Sequence, residues 1–258
     1  MLLIDDGIPG LLERANRGPF ADNIKAAVAA ITPRPIRIVL NTSWHYDHSD
    51  ANEGLADSGA VVIAHEGSRA RLLMTGQRAP ELDPVLVLPS YSGNALPVVT
   101  FSDSLAIRFD GEDISAIHVP GAHADGDVLY RFRNANILVT GDLFFPNAIP
   151  FINFSGGGTI DGMIRAADRI LEIADANTRV VPGHGPVSTR DDVKSFRDLL
   201  ATIRDRLSAA ITSGKTVDET LAANPLADLY PGRRSYFRIE SLTRYGYLDV
   251  KRAADARR

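Results

Sequence analysis

Apolar runs that end in histidine or aspartate constrain this chain more than any other feature. Ile36 to Leu40 reads as a strand, and it leads straight into Asn41-Thr42-Ser43-Trp44-His45-Tyr46-Asp47-His48. A second run, Ile137 to Thr140, ends in Gly141-Asp142. Two further histidines sit in turns, His123 after Pro120-Gly121-Ala122 and His184 within Pro182-Gly183-His184-Gly185. Glycine and proline mark chain reversals, so these donors are expected to leave strand ends for a shared loop face. His45 and Asp47, two apart on an extended loop, would share one side, with His48 turned to the neighbouring position. Imidazoles and carboxylates gathered in that way suit a hydrolytic zinc site. The 258 residues include no cysteine, so any metal must be held by His, Asp and Glu.

The rest of the chain alternates strands with helices. Helices are expected at 22–31, 52–58, 67–74, 159–174, 190–212, 216–223 and 235–254, from apolar spacing and from stops such as Thr32-Pro33-Arg34-Pro35. Strands are expected at 60–64, 98–101, 105–109, 113–119, 127–133, 137–140 and 179–181, with Asp110-Gly111 as a hairpin turn. The proline-punctuated stretch 77–97 and the phenylalanine-rich stretch 143–158 read as long loops that would wall an apolar pocket. The pattern alone gives an α/β chain of one domain. A formal charge of −4 argues against a nucleic-acid surface, and no apolar run is long enough for a membrane span.

The order and spacing of the donors resemble the metallo-β-lactamase superfamily, whose signature is His-x-His-x-Asp-His followed by two isolated histidines and a bridging aspartate. The resemblance runs from Leu2 to about Thr189 and takes in 120–127 and Gly141-Asp142-Leu143-Phe144-Phe145. It implies a four-layer αββα sandwich spanning 1–258, with the helices of about 190–258 packed on it. It also implies two adjacent metal sites. The first would be Ser43, His45 and His123; the second Asp47, His48 and His184, with Asp142 bridging. Asp47 would in addition act as a general acid–base. The implied cofactor is zinc, one or two ions, with manganese or iron as alternatives.

One position departs from the family: Ser43 stands where the first histidine belongs. A hydroxyl is a poor zinc ligand beside an imidazole, so a weakened first site is expected, with the second intact. The resemblance implies a hydrolase of an amide, ester or thioester carbonyl (lactam, lactone or acyl thioester) acting on a small molecule. The alternative is a degenerate, non-catalytic member that keeps the fold and binds a metal or ligand. Met1 to Gly7 reads as a strand that follows an opening strand pair in the resembling family. The expectation is therefore a fold without its first N-terminal strands, with a sheet edge open to homodimerisation.

Simpler roles are assigned elsewhere. His65 and His118 read as satisfied histidines, His65 as a cap for the helix after it. Trp44 reads as packed, and Asp125 and Asp127 as turn or supporting residues. Gly156-Gly157-Gly158 reads either as a flexible hinge or as a close-packed helix start.

Overall fold

Strands buried on both faces carry continuous rather than alternating apolar residues, and Val39, Leu40, Val62, Ile63 and Ala64 are all buried. The computed structural model describes residues 1–4, 18–74, 76–81, 86–87, 90–229, 231–235 and 238–257. In chain order it forms β1 (Leu2–Ile4), α1 (Gly18–Ala29), β2 (Ile38–Leu40), α2 (Tyr46–Ser49), α3 (Asn52–Ala56), β3 (Val61–His65) and α4 (Glu66–Leu73). There follow β4 (Arg78–Ala79), β5 (Leu86–Val87), β6 (Val99–Phe101), β7 (Ser104–Phe109), β8 (Glu112–His118), β9 (Val128–Phe132), β10 (Ile137–Gly141) and β11 (Ala148–Ile149). The remainder is α5 (Ile160–Ile173), β12 (Arg179–Pro182), α6 (Arg190–Thr212), α7 (Val217–Ala223), β13 (Arg234–Ser235) and α8 (Ile239–Asp255). These elements fall into two compact units, one of residues 1–77, 88–118 and 126–135, the other of 78–87, 119–125 and 136–258.

The first unit is built on the parallel sheet β1-β2-β3-β6. Val28 of α1 and Leu55 of α3 pack with Ile36, Val39 and Val62 in one buried cluster. The antiparallel meander β7-β8-β9 belongs to the same unit. Its first reversal is the expected Asp110-Gly111 turn, with φ of 53° and 80°, the positive pair that a two-residue hairpin needs. The meander is fastened to the end of β2. Val128 N–H donates to Thr42 O at 2.8 Å, and the Tyr130 hydroxyl donates to Asn41 O at 2.9 Å.

The second unit pairs β10 with β12 in parallel and packs helices together. α5 buries Ile160, Met163, Ala167 and Ile170; α6 buries Val193, Phe196, Leu200, Ile203 and Leu207. Both sets follow the three- and four-residue spacing of an amphipathic helix. Thr189 and Asp192 close a reciprocal capping box on α6, and Thr216 and Glu219 do the same on α7. Gly246 lets α8 sit against Ile160 and Leu207, whose methyls would lie 3.0 Å from a Cβ placed there.

Three expectations need correction or a limit. The segment from His45 to His48 is not extended, because Tyr46–Ser49 is a helical turn. Asp50 N–H donates to Tyr46 O at 3.0 Å, His48 N–H to His45 O at 3.0 Å, and Ser49 Oγ to His45 O at 2.9 Å. The stretch 77–97 is less irregular than expected, since β4 and β5 pair antiparallel; positions 82–85 and 88–89 lie outside the described residues. Of the strand expected from Met1 to Gly7, Leu2–Ile4 pairs with β2, and positions 5–7 lie outside the described residues.

The start of α5 is the tightest point in the second unit. A Cβ at Gly162 would lie 1.6 Å from Gly121 O, a backbone atom that cannot swing aside. Gly162→Ala is therefore expected to cost about 3 kcal/mol or more of stability. Urea unfolding with an unchanged slope would measure it; a loss under about 0.5 kcal/mol would show that the two segments part easily.

Candidate metal centre

Each unit carries three of the six donors. In the first unit the segment after β2 is pinned at both ends by an asparagine pair. Asn41 Nδ2 donates to His48 O at 2.8 Å and to Asn52 Oδ1 at 3.2 Å. Asn52 Nδ2 donates back to Asn41 Oδ1 at 3.0 Å and to Ala95 O at 3.2 Å. Both asparagines are buried, where a side-chain amide needs such partners. Helix α2 then places Asp47 and His48 on adjacent positions, with His48 Nε2 3.5 Å from Asp47 Oδ2. His45 and His48 are buried, and Asp47 is half-buried. Trp44 is packed, as expected. Its ring meets His45 edge-on at 4.4 Å between centroids, and the Arg71 guanidinium lies 5.5 Å from it.

Ser43 is buried, and its hydroxyl oxygen accepts a hydrogen bond from His45 N–H at 3.2 Å. The Ser43 side chain thus bends its own backbone and helps set the direction of His45.

The second unit brings its three donors together from three loops. Asp142 Oδ2 lies 3.4 Å from His123 Nε2, and Asp142 Oδ1 lies 3.6 Å from His184 Nε2. Those separations are long for hydrogen bonds, which peak near about 2.9 Å. They suit two atoms that share a metal ion. Ligands about 2.0–2.2 Å from a tetrahedral ion stand about 3.3–3.6 Å apart. Each carboxylate oxygen faces a different imidazole, so Asp142 could offer a donor atom beside each of them. The donor set, nitrogen and oxygen without sulfur, suits zinc, iron or manganese.

The His123 loop is held by the glycine segment that follows β11. Asn153 N–H donates to His123 O at 2.9 Å, Asp125 N–H to Gly156 O at 2.8 Å, and Thr159 N–H to Ala122 O at 3.0 Å. Thr159 Oγ donates to Gly121 O at 2.7 Å. A Cβ at Gly158 would lie 2.2 Å from His123 O, so of the two readings of Gly156-Gly157-Gly158 the close-packed helix start is the one observed. The His184 loop is tied to the Asp142 loop by Gly183 N–H to Gly141 O at 2.9 Å. Phe151 stands edge-on to His123 at 5.7 Å, and Phe145 is nearly parallel to His184 at 6.2 Å. Phe144 and Phe145 are fully buried against Phe196, so they belong to the core and not to a pocket wall.

His65 does cap α4. Its Nδ1 accepts from Gly67 N–H at 3.0 Å, which leaves Nε2–H to donate to Ser102 O at 2.7 Å. His118 stacks on it at 3.7 Å. Sequence reasoning passed over Glu81. It is buried, and its carboxylate accepts from Ser155 N–H and, at 3.1 Å, from Ser155 Oγ. Ser155 Oγ also reaches Asn153 Oδ1 at 2.9 Å, so Glu81 braces the segment that holds His123.

Residues 2–201 match the Metallo-beta-lactamase superfamily. The chain belongs to that superfamily. An uncharacterized protein of Mycobacterium tuberculosis is 28% identical over 169 residues, 63% of this chain and 75% of that one. The linear primary-alkylsulfatase of a Pseudomonas species is 24% identical over 251 residues, 83% of this chain and 47% of that enzyme. A metallo-beta-lactamase family protein from Thermus thermophilus superposes with a TM-score of 0.64 at 18% identity, covering 98% of this chain and 85% of that one. Another protein, solved in a di-iron-bound form, gives 0.53 at 22% identity over 68% of this chain and 83% of its own. The fold is thus the α/β fold of the metallo-beta-lactamase proteins, as expected, and the superfamily is one of metal-dependent hydrolases.

In this superfamily member the brace at Glu81 can be tested directly. Glu81→Ala should weaken metal binding about tenfold, because supports of metal ligands are worth about 10–100-fold. Competition against a chromophoric chelator would read it. Unchanged affinity would confine Glu81 to local packing.

Proposed function

We propose that this metallo-beta-lactamase member hydrolyses an amide, ester or thioester carbonyl of a small molecule, with a first metal site weakened by Ser43. The observation that carries it is Asp142, whose two oxygens each face a different imidazole. In this reading each unit supplies three donors, His45, Asp47 and His48 from the first and His123, Asp142 and His184 from the second. The chain acts as one domain, and the metal is zinc, with iron or manganese as alternatives. Metal ions held there would supply Lewis acidity and a nucleophile at neutral pH.

Several features of the chain support this assignment. Asp142 and His123 are buried, so water is kept from the donors while the ligand geometry is set beforehand. Asp47, half-buried beside His48, would in this reading orient an attacking water through a carboxylate oxygen, take its proton and pass it to the leaving group. Ser43 supports the weakened first site. Its oxygen is engaged by His45 N–H, and a neutral hydroxyl competes poorly with imidazole for zinc.

Elemental analysis of the purified protein, paired with Ser43→His on lactam, lactone and thioester substrates, tests this. The expected result is about one tightly held ion in the natural form, with a second ion and higher turnover in the variant. Two tightly held ions in the natural form would overturn the weakened-site reading. No turnover by either form, with metal bound, would favour the non-catalytic alternative.

A further inference from the structure

Within the second unit a cavity of about 510 Å³ opens between the start of α5, the middle of α6 and the end of α8. Its wall includes Arg165, Arg204, Arg252 and Arg257, and the acidic residues on it are Asp161 and Asp249. Asp161 faces Arg257 at 2.9 Å and Arg204 at 3.7 Å. Asp249 is buried; one oxygen accepts from Ile160 N–H at 3.0 Å and the other faces Arg252 at 3.0 Å. Asp205, outside the wall, holds Arg204 at 2.8 Å. Arg165 is exposed and has no ion-pair or hydrogen-bond partner among the described residues.

A salt-bridge network that only joined helices would match its charges and close over them. Here four guanidinium groups and two carboxylates line one hollow, and one guanidinium has no partner among the described residues. Three of the four are already held in place by carboxylates, which lowers the ordering cost of gripping an anion. Ser208 adds a hydroxyl to the wall, whereas the Thr159 hydroxyl there already donates to Gly121 O. We propose that this cavity binds a small molecule through a tetrahedral oxyanion, a phosphate or sulfate group. The site is separate from the six metal donors, none of which lines it. It does not depend on the hydrolase assignment. Thr159 connects it to the donor loop, since the Thr159 Oγ that donates to Gly121 O belongs to a residue of the cavity wall.

The test is calorimetric titration of the full-length protein with inorganic phosphate and with sulfate, against chloride at matched ionic strength so that general screening cancels. Arg165→Glu and Arg252→Ala are titrated alongside. Arg165→Glu alters an exposed residue without a partner among those described, so it should fold normally, with circular dichroism as the check. Saturable oxyanion binding that falls at least about tenfold in both variants is the expected result. Binding of equal strength in all three forms would place the anion elsewhere, such as on the metal donors, and would overturn the proposal. No binding up to tens of millimolar would overturn it as well. Weakening in Arg252→Ala alone, with Arg165→Glu unchanged, would reduce the effect to the Asp249 contact and reject the cavity.

Discussion

A buried carboxylate between two imidazoles sets the terms for the unit that contains it. Removing a charged group from water is expensive unless opposite charge or hydrogen-bond donors answer it. Asp142 is 5% exposed, and its oxygens stand 3.4 and 3.6 Å from the imidazole nitrogens of His123 and His184. That spacing is too open for either contact to be settled by a direct hydrogen bond, and it leaves room for cations between the groups. Backbone ties hold the loops that carry these three side chains at that spacing.

The rigidity comes from loops tied to loops. Gly183 is bonded to Gly141, Asn153 to His123, and Thr159 to both Ala122 and Gly121. None of these ties uses a donor side chain. The first unit applies the same rule with different means. There an asparagine pair fixes the ends of the donor segment, and Ser43 bends the middle.

Much of this was legible in the sequence because it rests on local rules. The long helix α6 begins and ends where Thr189 and the apolar spacing place it, and Asp110-Gly111 makes its hairpin. The meeting of His123, Asp142 and His184 was legible because histidine and aspartate recur at strand ends and turns there. The four-residue helix α2 was not, since one turn has no periodicity to read and depends on tertiary contacts. Glu81 was hidden for a similar reason. A lone glutamate in a proline-rich stretch looks solvated until Ser155 is brought to it. Phe144 and Phe145 misled because aromatic residues between a donor and a glycine run suit a pocket as well as a core.

Gly158 leaves no space for even one carbon beside the His123 carbonyl. Every amino acid other than glycine carries that carbon, so no exchange at this position is small. The glycine segment and the donor loop can drift only as a pair: a change in one must wait for a shift in the other. Variation in this protein should therefore accumulate first where nothing is clasped, as on the outer face of α6, and reach the loop around His123 last.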